Sequence, residues 1–174
     1  MINYSNITEF EKKMNILLKG SGVDIAKGIE LGIGVEKMGL DFYKKKKQII
    51  KDKHAAYLFD FLAAEEEYHL KLLNELKESL KKKNQWIEIT KKPARPKIFS
   101  DTDKSIDENS KDINIILAAM RVERDTQKLY LGIAEKLKSP DGRKFFSALS
   151  DFEQGHFELL DGILYNLTYN RVEA

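Results

Sequence analysis

The chain has 174 residues and no cysteine, and its 30 lysine and arginine residues nearly balance its 28 aspartate and glutamate residues. The missing cysteines exclude disulfides, thiolate metal sites and thiol catalysis, and the balanced charge gives no reason to expect a nucleic acid or a membrane as partner. A hydrophobic content of 42% suits one well-buried domain, or at most two small ones, and no stretch approaches the roughly 20 apolar residues that cross a bilayer, so we expect a soluble, cytoplasmic protein.

The first half of the chain is predicted to contain a short N-terminal helix and two long helices. Thr8 and Glu11 are spaced as a capping box, and the apolar residues around them recur at helical spacing. Glycines then break the pattern, and Asp52 marks a tight turn between two longer periodic stretches. The predicted helical ranges are 5–19, within an N-terminal segment of residues 1–20, then about 23–50 and about 53–83.

The second half is predicted to follow a long connector that is not helical. Pro93 and Pro96 interrupt the helical periodicity of this stretch. Ser105 and Glu108 then offer another capping box, which predicts the start of a new helix. The predicted ranges are 84–108 for the connector, about 109–138 for the third long helix, and up to residue 168 for the fourth.

The two halves repeat each other at an offset of 87 residues. Each half contains a lone glutamate and, 30 residues later, a Glu-x-x-His pair. These residues are Glu36, Glu66 and His69 in the first half and Glu123, Glu153 and His156 in the second. Tyr43 and Tyr130 match at the same offset. A duplicated helical pair explains the repeat and predicts a single domain over residues 1–174.

The repeated glutamates and histidines have the spacing and chemistry of a dinuclear metal site. Glutamate and histidine three positions apart share one helix face, and both pairs lie in leucine seams that should face the core. Four carboxylates buried together would cost several kcal/mol each, and two divalent cations would neutralise them. Carboxylate and imidazole donors suit iron, manganese or a mixture of the two, and the missing thiolates argue against structural zinc.

We expect the glutamates of the two Glu-x-x-His pairs to bridge the ions, with each lone glutamate and the histidine of its own half completing one end. The spacing also allows the crossed assignment of the histidines. Tyr43 and Tyr130 either donate to a ligating carboxylate or simply pack in the core. Gln127 either addresses the cluster or lies on the helix surface. Glu65 and Glu67 have no acidic match in the second half, so we expect them to face solvent.

Glycines crowd the first long helix, at Gly28, Gly32, Gly34 and Gly39. Each glycine within a helix costs about 1 kcal/mol relative to alanine, so their presence needs a reason. Either a neighbouring backbone approaches closely, or the helix is soft at this point and admits a small oxidant.

The duplication also predicts the topology. Short turns make each helical pair antiparallel, and a twofold axis perpendicular to the bundle sets the third long helix parallel to the second. A helix of about 30 residues is about 45 Å long, and a connector of about 25 extended residues reaches about 80 Å, so the connector can run the length of the bundle. Its length would also let two chains exchange halves, and a homodimer is the expected assembly.

The repeated residues resemble the ligand set of ferritin-like di-iron carboxylate proteins, and most of all that of the rubrerythrin group, over about residues 23–168. The matching residues are Glu36, Glu66-Glu67-Tyr68-His69, Glu123 and Glu153-Gln154-Gly155-His156. This resemblance implies an all-α four-helix bundle with a long crossover between its second and third helices, two bridged iron ions, and reaction with hydrogen peroxide or dioxygen. By position, the six repeated residues would be the ligands, supported by Tyr43 and Tyr130.

Two departures from the rubrerythrin pattern bear on the activity. Rubrerythrins typically append a cysteine-ligated rubredoxin iron site that delivers electrons, and this chain has no cysteine, so its electrons must come from an external donor. Rubrerythrins also carry a glutamate three residues after the lone glutamate of the third helix, where this chain has Thr126. The residue at this position puts efficient peroxidase activity in doubt more than it does iron binding.

Three functions are compatible with these residues. We favour an oxidoreductase that reduces hydrogen peroxide or dioxygen with electrons from an external donor, because the ligand set with two histidines resembles rubrerythrin. A ferroxidase or iron-handling protein would use the same oxidation and pass ferric iron onward. A non-enzymatic bundle would use the site to stabilise the fold or to sense metal or oxidant.

Overall fold

The structure, a computed structural model, describes residues 12–19, 22–94, 96 and 110–169. Within these ranges the regular structure is helical, without a strand, which confirms the predicted all-α class. No helix in these ranges has an apolar stretch long enough to span a bilayer. The capping boxes predicted at Thr8 and Ser105 lie outside the described residues. The helices are α1, described at residues 12–17, α2 at Ile25–Lys47, α3 at Lys53–Lys83, α4 at Ser110–Lys136 and α5 at Pro140–Tyr169.

Short polar residues set the ends of the first two long helices. Asp24 Oδ1 accepts a hydrogen bond from Lys27 N at 3.1 Å, and Asp52 Oδ1 accepts one from Ala55 N at 2.8 Å. Each aspartate therefore caps the start of a helix. Because Asp24 is the cap of α2, this helix begins at Ile25 and not at about residue 23 as predicted. α3 ends where Asn84 adopts a left-handed φ of 49°.

Contacts across the bundle show how the helices run. Tyr130 donates a hydrogen bond to Glu36, and Tyr43 donates one to Glu123, so residue numbers rise along α2 as they fall along α4. α2 is also antiparallel to α3, to which it is joined by the short turn at Asp52. α3 and α4 are therefore parallel, and the chain between them must run the length of the bundle. This is the predicted four-helix arrangement with a long crossover.

Two apolar clusters fill the bundle on either side of a polar layer. One is built around Leu73 and Phe146, and the other around Phe59 and Ile116. Trp86, in the described part of the connector, packs against the first cluster. Full burial of a large apolar side chain contributes about 1.5–3 kcal/mol. The two clusters therefore stabilise the folded bundle that encloses the polar residues.

One buried carboxylate joins the two halves at the turn between α2 and α3. Asp112 lies in the first turn of α4 and exposes 2% of its surface. Its Oδ2 accepts hydrogen bonds from Lys51 N at 2.9 Å and from Asp52 N at 3.0 Å. The start of the second half thus fixes the turn of the first.

We predict that Asp112→Ala lowers the free energy of unfolding by about 1–3 kcal/mol, because two backbone N–H groups lose a buried acceptor. Urea unfolding followed by circular dichroism measures this change. The control is Asp41→Ala, since Asp41 pairs with Lys45 on an exposed helix face, where such a pair contributes about 0.3–0.5 kcal/mol. Equal effects of the two substitutions would contradict this role of Asp112.

Candidate metal centre

The six repeated glutamates and histidines converge between the two apolar clusters, and none of them exposes more than 3% of its surface. Each of the four long helices contributes at least one of them. On the two helices that contribute a Glu-x-x-His pair, the spacing turns both side chains of the pair toward the same helix face. The contributions are Glu36 from α2, Glu66 and His69 from α3, Glu123 from α4, and Glu153 and His156 from α5.

The histidines face the glutamates through their Nδ1 atoms. His69 Nδ1 lies 3.1 Å from Glu153 Oε1 and 3.5 Å from Glu36 Oε2. His156 Nδ1 lies 3.3 Å from Glu123 Oε2 and 3.4 Å from Glu153 Oε2. Each histidine therefore stands beside the lone glutamate of its own half, which is the uncrossed pairing, and Glu153 lies between the two rings.

Two of the three donor groups in the described residues consist only of the six expected ligands, and in each of them the donor atoms lie within 4.8 Å of one another. Glu66 belongs to both groups, and Glu153 is close to both histidines. These two glutamates therefore occupy the middle of the cluster, where bridging ligands are expected. The first group is Glu36, Glu66 and His69, and the second is Glu66, Glu123, Glu153 and His156.

The two tyrosines connect the halves of the site. Tyr43 Oη donates a hydrogen bond to Glu123 and Tyr130 Oη donates one to Glu36, and both phenols are fully buried. Seven residues of helix rise about 10 Å, so a tyrosine two turns beyond a lone glutamate lies well away from it along its own helix. Because α2 runs antiparallel to α4, each phenol reaches the lone glutamate of the opposite half.

Burial and mutual repulsion change the pKa values of these groups. Burial, followed by the charge of Glu36, raises the pKa of Glu66 well above its ordinary value, and burial raises the pKa of Glu123 to about 8 in spite of the nearby His156. Burial lowers the pKa of His69, but the neighbouring carboxylate charges outweigh the effect of burial and raise this pKa to about 9. Burial also lowers the pKa of His156, but the hydrogen bond with Glu123 and the nearby carboxylate charges outweigh this effect and raise the pKa of His156 to about 10. Without cations, the cluster therefore retains protons near neutral pH.

The donor set fits metal ions. Within the described part of the chain, Glu36 Oε2, His69 Nδ1 and both carboxylate oxygens of Glu153 are buried and make no hydrogen bond. Buried polar atoms without partners are rare in native proteins, and metal ligation would satisfy these. Four carboxylates match the charge of two divalent cations, and oxygen and nitrogen donors of this kind suit iron or manganese. The residues thus fit a dinuclear centre.

Two glycines of α2 make room for this cluster. A Cβ atom at Gly39 would lie 3.1 Å from Cδ of Glu66, and one at Gly32 would lie 3.3 Å from the phenol oxygen of Tyr130. A Cβ at Gly34 would meet no atom within 4 Å. The space at Gly32 and Gly39 is therefore taken by side chains, not by a neighbouring backbone as expected, and no close approach accounts for Gly34.

One expectation about the polar neighbours, that for Glu65, needs correction. Glu65 was expected to face solvent, but it exposes only 5% of its surface because Lys91 of the connector covers it and pairs with its carboxylate at 2.5 Å. Glu67 is exposed, as expected. Gln127 is half-buried and donates a hydrogen bond to Gln154 Oε1 at 2.9 Å, so its amide links α4 to α5 rather than addressing the cluster.

Comparison with known families agrees with this geometry. The family model described as Rubrerythrin matches residues 27–164, and the chain belongs to the rubrerythrin family. The matched range includes all six repeated glutamates and histidines and both buried tyrosines. The resemblance seen in the sequence and the ferritin-like fold are thereby confirmed. No curated protein and no solved structure matches the chain.

We predict that Gly39→Ala weakens metal binding about tenfold, because the added methyl group displaces the Glu66 carboxylate by a few tenths of an ångström. Calorimetric titration of the metal-free protein with Mn(II) measures the affinity. Gly34→Ala is the matched control, since open space at this exposed position predicts unchanged affinity and a helix more stable by about 1 kcal/mol. Equal affinities of the two variants would contradict the importance of this close approach.

Proposed function

We propose that this protein is a di-iron oxidoreductase that reduces hydrogen peroxide or dioxygen with electrons from an external donor. The observation that carries the proposal is the burial of four carboxylates and two imidazoles around a common centre, with several donor atoms that make no hydrogen bond within the described residues. Membership of the rubrerythrin family, whose members typically bind iron, supports iron as the metal.

The chain would hold the metals with donors from all four long helices. Glu66 and Glu153 would bridge the ions, and the lone glutamates and the histidines would complete the two ends. Two ferrous ions, once bound, would supply the two electrons that reduce one hydrogen peroxide, with two protons, to two water molecules. Tyr43 and Tyr130 would hold the lone glutamates in position through their hydrogen bonds.

The electrons for the next turnover must come from outside the cluster. These 174 residues contain no cysteine and therefore hold no cysteine-ligated iron site that would relay electrons to the centre. The electrons would come from a donor outside these residues. The apolar clusters on both sides of the site would limit the access of bulk water to it.

A second candidate, ferroxidase or iron handling, is favoured by one residue. Thr126 is buried, exposing 5% of its surface, at the position where rubrerythrins typically carry an additional glutamate. Threonine has no carboxylate to offer an iron ion. The reduction of peroxide would lose this support, whereas the oxidation of ferrous iron by dioxygen would still have the six other donors.

Oxidation kinetics separate these functions. The protein is loaded with Fe(II) without oxygen and mixed with either hydrogen peroxide or dioxygen, and the absorbance of ferric iron is followed. We expect peroxide to oxidise about two irons per chain faster than dioxygen does, and an added reductant to restore the ferrous state. Oxidation of many irons per chain by dioxygen would instead support the ferroxidase, and inertness to both oxidants would exclude the two enzymatic functions.

We predict that purified protein binds about two iron or manganese ions per chain and that Glu66→Ala abolishes most of this occupancy, because a residue shared by both donor groups is lost. Metal analysis provides the measurement, and circular dichroism checks that the helices remain. Glu67→Ala is the matched control, because Glu67 is adjacent to Glu66 but exposed. Full metal content in Glu66→Ala would exclude this assignment.

A further inference from the structure

Glu65 is a buried carboxylate at the edge of the centre that the six expected ligands leave unexplained. Its Oε1 accepts a hydrogen bond from Lys91 Nζ at 2.5 Å, and its Oε2 is buried without a hydrogen-bond partner among the described residues. Glu65, His69 and His156 each present a donor atom within 4.8 Å of the other two. The carboxylate therefore has one oxygen held by the connector and one oxygen free to face the histidines.

The repeat indicates which histidine Glu65 serves. At the offset of 87 residues, Glu65 matches Phe152, and the ring centroid of Phe152 lies 5.0 Å from that of His69 in an edge-on contact. The twofold relation between α3 and α5 places Glu65 toward His156 as Phe152 stands toward His69. Glu65 is near both histidines, but Phe152 already stands against His69, so the twofold relation favours His156 as the ring that Glu65 serves.

The different surroundings of the two histidines matter for the proton that each ring keeps when it binds metal. A histidine that binds metal through Nδ1 carries its remaining proton on Nε2, and that N–H needs an acceptor. The Nδ1 atoms of both histidines face the glutamates of the centre, and the Nε2 atoms of both are buried without a hydrogen-bond partner in the described part of the chain. An acceptor beside one ring fixes its orientation and makes it a stronger ligand.

Lys91 keeps the carboxylate in place. Its ammonium group also lies 4.4 Å from the ring centroid of Tyr68, the neighbour of His69 on α3. Pairing with Lys91 neutralises the charge of Glu65, which would otherwise oppose burial beside the centre. The connector and α3 together thus build a fixed acceptor outside the ligand set.

We propose that Glu65, held by Lys91, positions His156 by accepting its Nε2–H, so that the metal position at His156 binds more tightly than the position at His69. This inference rests on the proposed dinuclear centre. It identifies Glu65 and Lys91 as positioning residues that contact no metal, and it predicts two unequal metal sites in a chain whose expected ligands follow a twofold repeat.

Anaerobic titration of the metal-free protein with Co(II), followed by the visible absorption of the bound ion, tests the proposal. We expect two binding steps of different affinity in the unaltered protein, and we predict that Glu65→Gln weakens the tighter step about 10–100-fold and leaves the weaker step unchanged. Lys91→Met should weaken the same step to a lesser extent, because its methylene stem is retained. Glu67→Gln, at an exposed neighbouring position, is the matched control and should match the unaltered protein.

Two further variants identify the histidine concerned. His156→Ala should eliminate the step that Glu65→Gln weakens, and His69→Ala should retain it; the reverse assignment overturns the proposal. Two equal steps in the unaltered protein, or an unchanged titration of Glu65→Gln, overturn it while leaving the dinuclear centre intact. Failure of the unaltered protein to bind Co(II) would overturn the proposed function as well.

Discussion

Burial of charge at the centre of the bundle is the constraint on which the rest of the structure depends. Four carboxylates and two imidazoles are enclosed where none exposes more than 3% of its surface, and their repulsion and lost hydration oppose folding unless protons or cations accompany them. The apolar clusters on either side provide the burial energy that offsets this cost. The helices thus position the polar groups, and the protons or cations held by those groups permit the helices to pack.

Much of this arrangement could be predicted because the spacing of residues along a helix determines the directions of their side chains. Positions three apart share a face, and the duplication relates the halves, so the convergence of the glutamates and histidines and the parallel course of α3 and α4 both follow from counting. The partner of each tyrosine could not be predicted. The hydrogen bond from Tyr43 to Glu123 depends on the relative level of α2 and α4, which no spacing within one helix determines.

Residues whose surroundings come from another element were the hardest to interpret. Glu65 has no acidic match and follows the pattern of a solvent-facing residue, but Lys91 arrives from a connector without periodicity and covers it. Gly39 was conspicuous as a glycine within a helix, yet only the packing of α2 on α3 shows that the space of its missing side chain is needed by the carboxylate of Glu66. Sequence patterns identify such positions more readily than they identify the partner.

Two departures from the repeat lie where the connector crosses the bundle. Lys91 lies over Tyr68 and pairs with Glu65, while a Cβ at Gly155, the residue that matches Tyr68, would lie 3.6 Å from Pro93. A duplicated fold has two helical hairpins but a single connector between them, so the positions beneath that connector cannot remain equivalent. The first half pairs with the connector through Lys91, whereas the second half faces Pro93 of the connector with a glycine. The two ends of the cluster therefore have different surroundings, even though the residues expected to bind metal obey the repeat.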